Sequence, residues 1–350
     1  MQTSEDTMEQ KTAFPVFDTQ DKDLPIIAVV IPAYRAAKHI LTVLKGIPEF
    51  VSIIVVVDDC SPDNTSELVK QSKDARVELV LHKENLGVGG AVLSGYAKAL
   101  ELGAEIIVKM DSDDQMDPKY LLHLVIPILA NKADYTKGNR FLHARQLRTM
   151  PYKRLIGNTG LSFLTKIASG YWNVFDPTNG YTAIHAAIIP FLDKNEISLR
   201  YFFESSMLIE LGIIRAVICD VNIPASYKDE TSSLSEIKAL FGFPPRLFRG
   251  FIRRLLTQYF IQNFGIFSLF LVVGSLFIIF GSAFGVYHWY LSFYTGVVAS
   301  TGTIMLAVLP IILGAQLLIQ SVTVDIQNVP TEPLHIGLWT IKMLEDKHNK

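Results

Sequence analysis

The chain reads as an α/β protein: a Rossmann-like domain, then an interfacial amphipathic helix, then a two-helix transmembrane hairpin. Three observations predict this. Short β-branched runs at 26–31, 53–57, 77–81 and 105–110 alternate with amphipathic helical stretches, the pattern of a parallel sheet covered on both faces. A polar or glycine-rich segment follows each run, which gathers those segments at the carboxyl ends of the strands, where such sheets bind ligands. Two uncharged apolar runs, 264–287 and 296–319, come next. Each would span roughly 36 Å as a helix, enough to cross a bilayer core.

Length and composition agree. The 350 residues have room for one large domain and an appendage, and the 49% hydrophobic content is concentrated after residue 263. A net charge of −2 gives no electrostatic case for a nucleic-acid partner. Cys60 and Cys219 make no disulfide framework, which suits a reducing cytosolic setting. The expected organisation is a disordered polar tail at 1–24, the α/β domain at 25–233 and amphipathic helices at 234–263. The membrane hairpin is expected within 264–320 and a cytosolic tail at 321–350.

Taken in order, the first strand is followed by Pro32-Ala33-Tyr34-Arg35 and the second by Asp58-Asp59-Cys60-Ser61-Pro62-Asp63. The plain reading of the latter is a turn in which Asp63 or Ser61 caps the helix through Lys70. After the third strand comes Asn85-Leu86-Gly87-Val88-Gly89-Gly90. It is no dinucleotide fingerprint, because Val92 stands where the third glycine belongs and the segment follows the third strand, not the first. It still offers backbone N–H groups to a phosphate or sugar. The fourth strand runs into Met110-Asp111-Ser112-Asp113-Asp114-Gln115-Met116-Asp117-Pro118. With a buried strand before the turn, Asp111, Asp113 and Gln115 fall on one side of the chain, a hard oxygen set suited to Mg or Mn. The plain alternative is an acidic helix start with Asp117 or Asp114 capping Pro118. An EF-hand fits badly, with Met116 at the glycine position and Leu122 at the twelfth. Together the four segments specify an anionic, metal-bridged ligand whose base or ribose is gripped by the Asp58 and Asp59 pair.

These motifs, VVIPAYRA, VVVDDCSPDNT, NLGVGGAVLSGYAKA and MDSDDQMDP in that order, resemble the family 2 glycosyltransferases of GT-A fold over roughly residues 25 to 235. Within that family the chain looks most like the dolichyl-phosphate mannose synthase and polyprenyl-phosphate glycosyltransferase branch. The resemblance implies that Pro32, Tyr34 and Asp59 hold the nucleotide base, and that Asp111, Asp113 and Gln115 hold the metal and diphosphate. Lys137-Gly138-Asn139-Arg140 looks like the family's G-x-R segment, which makes Arg140 a phosphate-binding candidate. Asp176-Pro177-Thr178-Asn179-Gly180-Tyr181 resembles its D-x-T-x-G-F turn near the acceptor. Two departures touch the acceptor side: Thr182 stands where many members have arginine, and residues 227–233 replace a more basic stretch. Arg154 and Lys228 are candidates for the missing cations, although solvated surface charge is the ordinary fate of such residues.

Between 235 and 263, Leu247, Phe248, Phe251, Leu255 and Tyr259 recur at helical spacing with Arg246, Arg249, Arg253 and Arg254 offset from them. That is an interfacial pattern, with packing on the globular domain as the competing use. His288-Trp289-Tyr290 forms an aromatic interface between the spans, and Gly281 and Gly285 can let the two helices approach. The basic cluster before the first span puts both chain ends in the cytosol, so the expected setting is the cytoplasmic membrane, multi-pass, with the catalytic domain inside.

The combined expectation is an inverting, metal-dependent glycosyltransferase moving a sugar from a nucleotide sugar to a membrane polyprenyl phosphate, with Asp113 and Arg140 in catalysis. The alternatives are transfer to a lipid or saccharide hydroxyl with Asp176 as base, or a non-catalytic membrane scaffold. Homo-oligomerisation is left open by the sequence.

Overall fold

The structure is a computed structural model that describes residues 25–140, 152–223 and 236–338. The four β-branched runs form strands β1 (Ile27–Ala33), β2 (Ile53–Asp58), β3 (Val77–Leu81) and β4 (Ile106–Lys109). They pair in parallel in the order β3-β2-β1-β4. Every residue of β1 is buried, which is why its sequence is apolar throughout instead of alternating. Alternate residues feed two cores. Val30, Val55, Val57 and Ile107 face helix α3 (Val88–Glu101), while Val29, Ile31, Val56 and Val108 pack with α1 (Ile40–Gly46) and α4 (Leu121–Leu129). At about 1.5 to 3 kcal/mol for each fully buried aliphatic side chain, these two layers hold the strand ends in register. Helix α2 (Thr65–Gln71) joins β2 to β3.

The far half of the sheet departs from the parallel pattern. Strand β6 (Thr182–His185) runs antiparallel to both β4 and β5 (Tyr135–Asn139), and β7 (Ile218–Asn222) lies parallel to β5, giving the order β3-β2-β1-β4-β6-β5-β7. Four residues, Thr-Ala-Ile-His, carry too little periodicity to announce a strand. The reversal nevertheless sets the site. Thr182 pairs with Lys109 on one side and Lys137 on the other, so the turn at 176–181 arrives at the carboxyl ends of β4 and β5.

Helices α5 (Tyr152–Ser169), α6 (Phe203–Ile213) and α7 (Glu236–Leu256) flank that edge. Helix α7 packs on the globular domain along one face only. Its Phe243 and Leu247 pack on Ala168, Phe202 and Ile209, while Phe248, Ile252 and Leu256 remain exposed. A π-helical turn (Thr257–Gln262) leads into α8 (Ile266–Thr295) and α9 (Thr301–Gln327), two apolar helices long enough to form a membrane hairpin. Both run further than the expected spans: α8 continues through His288-Trp289-Tyr290 to Thr295, and α9 passes 319 to reach Gln327. Gly281 packs under Ala307 as expected, Gly274 and Gly314 make a second close approach of the two helices, and Gly285 is looser.

Part of the expected 321–350 tail belongs to the fold. Asp325 is buried against Arg254, and residues 334–338 are helical, with Leu334 N, His335 N and His335 Nδ1 all on the carboxylate of Asp134. The expected disordered tail at 1–24, Lys228 and residues 339–350 lie outside the described residues, as does the side chain of Arg154.

Candidate active site

The acidic turn leaves β4 at its carboxyl end. Lys109, the last strand residue, is 2% exposed and places Nζ 2.7 Å from Asp111 Oδ1 and 3.5 Å from Glu204 Oε1 on the first turn of α6. Burial works to discharge this lysine, but the Asp111 and Glu204 carboxylates outweigh it and hold its pKa above the ordinary value. Asp113 Oδ1 accepts from Gln115 N at 3.0 Å, and Asp114 turns the chain with a left-handed φ of 61°. Asp117 accepts from Lys119 N and caps the short 3₁₀ turn that opens at Pro118. The capping reading holds at Asp117, while Asp111, Asp113 and Gln115 are half-buried on the same turn.

Left-handed non-glycine residues recur at this edge. Arg35 (φ 56°), Cys60 (φ 59°) and Asp114 (φ 61°) follow β1, β2 and β4, a clustering of backbone strain common at functional sites. Pro32 is buried in β1, and Tyr34 stands 46% exposed beyond it with the Arg35 guanidinium over its ring. Asp58 is buried and receives Ser61 N at 3.0 Å. Asp63 ties Thr65 and Ala37 together, so it braces two loops as well as the start of α2.

The glycine-rich segment differs from expectation. Four of its N–H groups are engaged within the protein: Leu86 N and Gly87 N donate to the Asp59 carboxylate at 2.9 and 2.7 Å, and Gly89 N and Gly90 N donate to Leu199 O. His82 Nδ1 is a third partner of Asp59 at 2.7 Å, and Asn85 Nδ2 donates to Asp59 O. Asp59 is thus the anchor of the β3–α3 turn, with its side chain directed into the fold instead of standing open to a base. Only glycine serves at 87, where φ is +90° and a Cβ would lie 2.6 Å from Leu199 O.

On the opposite flank Arg140 clamps Asp176 through two bonds, Nε to Oδ2 at 2.7 Å and Nη2 to Oδ1 at 3.0 Å, with Asp176 fully buried. Lys137 Nζ donates to Asn179 O, and Asn179 Nδ2 returns to Gly138 O at 2.7 Å, so β5 holds the 176–181 turn from beneath. Gly180 brings that turn against the acidic one. A Cβ there would collide with Lys109 Nζ and lie 3.0 Å from Asp111 Oδ2. The two flanks meet at Gly180.

A scan for known families finds glycosyl transferase family 2 over residues 28–190. A UDP-N-acetylglucosamine–dolichyl-phosphate N-acetylglucosaminyltransferase from Methanococcus voltae is 31% identical over 233 residues, covering 62% of this chain and 92% of the relative. The chain belongs to glycosyl transferase family 2. An undecaprenyl-phosphate mannosyltransferase from Micrococcus luteus is 28% identical over 204 residues, 56% of this chain and 82% of its own length. The fold has solved counterparts, among them glucosyl-3-phosphoglycerate synthase from Mycobacterium tuberculosis in complex with Mn2+, UDP and glucosyl-3-phosphoglycerate. It superposes with TM-score 0.50 at 20% identity over 66% of this chain and 80% of that one. The architecture is the mixed α/β sheet of the GT-A type.

Three side chains of this family 2 domain escaped the sequence reading: Lys109, Lys137 and Glu204. Their signal was a charge inside a buried strand or at a buried helix start, which must find a partner. Lys137 is fully buried, and that burial, opposed by Glu204 and Asp176 and reinforced by Lys109, lowers its pKa to about 8. Lys109, Glu204, Lys137, Asp176 and Arg140 thus form a run of alternating charge, buried at Lys109, Lys137 and Asp176, from the acidic turn to the 176–181 turn.

The donor set fits a divalent cation of the Mg or Mn type. No group of three or more His, Cys, Asp or Glu side chains converges on one point among the described residues. Two carboxylates and an amide at an open strand end instead match a hard cation that keeps substrate oxygens in its shell.

Proposed function

We propose that this family 2 glycosyltransferase moves a sugar, with inversion, from a nucleotide sugar to the phosphate of a membrane polyprenyl or dolichyl phosphate on the cytosolic face of the membrane. The observation that carries it is the joining at Gly180 of an acidic turn suited to a cation-bound diphosphate with an arginine-bearing flank suited to a second phosphate. The relatives that act on dolichyl and undecaprenyl phosphate support the acceptor class.

Asp111, Asp113 and Gln115 are the residues that would hold Mg or Mn. What such a cation supplies when bound is neutralisation of the charge that develops on a departing nucleoside diphosphate. Lys109 fixes the rotamer of Asp111, so one ligand is oriented before substrate arrives. Tyr34, next to Pro32 and outside β1, offers an exposed ring to the base. Arg140, oriented by Asp176, faces the acceptor phosphate. A lipid monophosphate has a second pKa of about 6 and is largely ionised at neutral pH, so it attacks the anomeric carbon without surrendering a proton to the protein. Asp176, buried and held by two guanidinium bonds, is poorly placed to serve as base for a hydroxyl acceptor. The hairpin would cross the membrane with both ends on one side, since α7 before it and Asp325 after it both pack on the catalytic domain.

A mass-spectrometric screen of nucleotide sugars against polyprenyl phosphate tests this with the purified full chain. Formation of a glycosyl phospholipid product supports the reading. Efficient transfer to the free polyprenol, with activity lost in Asp176→Asn, would refute it in favour of a hydroxyl acceptor.

A further inference from the structure

A cavity of about 270 Å³ opens between α6, α7 and the loop before α6, with Arg246, Arg249 and Arg253 on one wall and Glu196, Phe202 and Glu210 on the other. It is distinct from the active site. Glu204 turns toward Lys109, whereas Ser206, Ile209 and Glu210, half a helical turn away on α6, line the cavity. Arg249 pairs with Glu196 at 2.9 Å and Arg253 with Glu210, so two carboxylates stand against three guanidinium groups. Arg246 is exposed, lies 5.9 Å from the Phe202 ring centre and has no carboxylate partner among the described residues.

The outer surface of the same helix is apolar. Phe248, Ile252 and Leu256, four residues apart, are 64%, 39% and 50% exposed and form one stripe. The arginines lie beside that stripe, between it and the buried edge marked by Gly250. Ten residues after Leu256 the chain enters α8 at Ile266, the first apolar helix of the hairpin. An apolar stripe flanked by a cationic cavity at the point of membrane entry has the layout of acyl chains below a phosphate headgroup.

We propose that this cavity binds the headgroup of an anionic bilayer phospholipid, with its phosphate on Arg246 and Arg249 and its chains along Phe248, Ile252 and Leu256. The proposal rests on the reading that the hairpin spans a membrane, not on the transfer chemistry. Each cation near an anionic headgroup is worth about fivefold in binding, and such a lipid would fix the catalytic cleft at headgroup level.

The test uses the full-length protein in detergent with equimolar phosphatidylglycerol and phosphatidylcholine, counting retained lipid by native mass spectrometry. Wild type is expected to retain phosphatidylglycerol preferentially, and Arg246→Ala to retain about fivefold less. Arg246→Lys should keep most of the preference, and Glu196→Gln should increase it by releasing Arg249. Equal retention of the two lipids by wild type, or unchanged phosphatidylglycerol retention in Arg246→Ala, overturns the proposal. Displacement of phosphatidylglycerol by equimolar polyprenyl phosphate also overturns it, giving the cavity to the acceptor. Alkaline carbonate extraction separates the two readings: all variants should stay in the membrane pellet, and release of wild type would refute the spanning hairpin itself.

Discussion

Replacing Arg254 by methionine should loosen the hairpin from the catalytic domain. Arg254 is 1% exposed and donates to Ile167 O at 3.0 Å, Ala168 O at 3.1 Å, Gln258 Oε1 at 3.1 Å and both oxygens of Asp325 at 2.8 and 3.0 Å. Methionine retains the stem volume but leaves Asp325 with only Tyr259 OH at 2.7 Å and Trp172 Nε1 at 3.2 Å, a buried carboxylate with no cation. Breaking a buried pair from one side costs about 3 to 5 kcal/mol. For a domain of this size that lowers the melting temperature by roughly 6 to 20 °C. Asp325→Asn should cost less, because Arg254 keeps its three other acceptors, and the double variant should lose less than the sum of the singles by about 1.5 kcal/mol or more. The assay is thermal unfolding of the full chain in micelles, with limited proteolysis reporting release of the hairpin. An Arg254→Met protein that melts within 2 °C of wild type, or a strictly additive double variant, would refute the reasoning.

The other predictions concern the site and the sheet edge beneath it. Asp113→Asn and Asp111→Asn should both abolish transfer and Mn2+ binding measured by electron paramagnetic resonance, but only Asp111→Asn should also lower the melting temperature, since it strips buried Lys109 of its nearer carboxylate. Gly180→Ala should raise the Kd for Mn2+ by displacing the Lys109–Asp111 pair while leaving unfolding cooperative; an unchanged Kd would show that the close approach at Gly180 is immaterial. Arg140→Ala should raise KM for polyprenyl phosphate more than KM for the nucleotide sugar, and should destabilise the fold by leaving Asp176 buried and unpaired. His185 stacks on His335 at 4.3 Å, and burial, reinforced by His335 and opposed by Asp134, lowers its pKa to about 4. Its unfolded pKa of about 6.5 is higher, so the unfolded chain binds the proton first and the stability contribution, complete above pH 6.5, is lost as pH falls toward 4. His185→Phe should flatten the melting curve against pH across that window, and an unaltered profile would exclude His185 as its source.

The sequence alone determined the elements whose residues all obey one local rule. The β-branched runs became β1, β2 and β4 where strands buried on both faces need apolar side chains at nearly every position, whereas β3, half exposed at the sheet edge, carries Glu78 outward, and the long uncharged runs became the apolar helices α8 and α9. The order of the segments after those strands was enough to gather them at the carboxyl ends of neighbouring parallel strands. Tertiary structure decided which polar groups remain available. Asp59 and the Gly87, Gly89 and Gly90 amides resembled ligand groups in the sequence, yet Gly87 N donates to Asp59 and Gly89 N and Gly90 N to Leu199 O, because buried polar groups take the nearest partner the fold presents. Lys109, Lys137 and Glu204 were invisible as a set: they lie far apart in sequence and meet only because β6 runs antiparallel between β4 and β5. Arg254 shows the same limit from the other side. Its place in a basic amphipathic helix suggested a charge at a membrane interface, and only the return of α9 to the catalytic domain supplies Asp325, 71 residues away, to bury it.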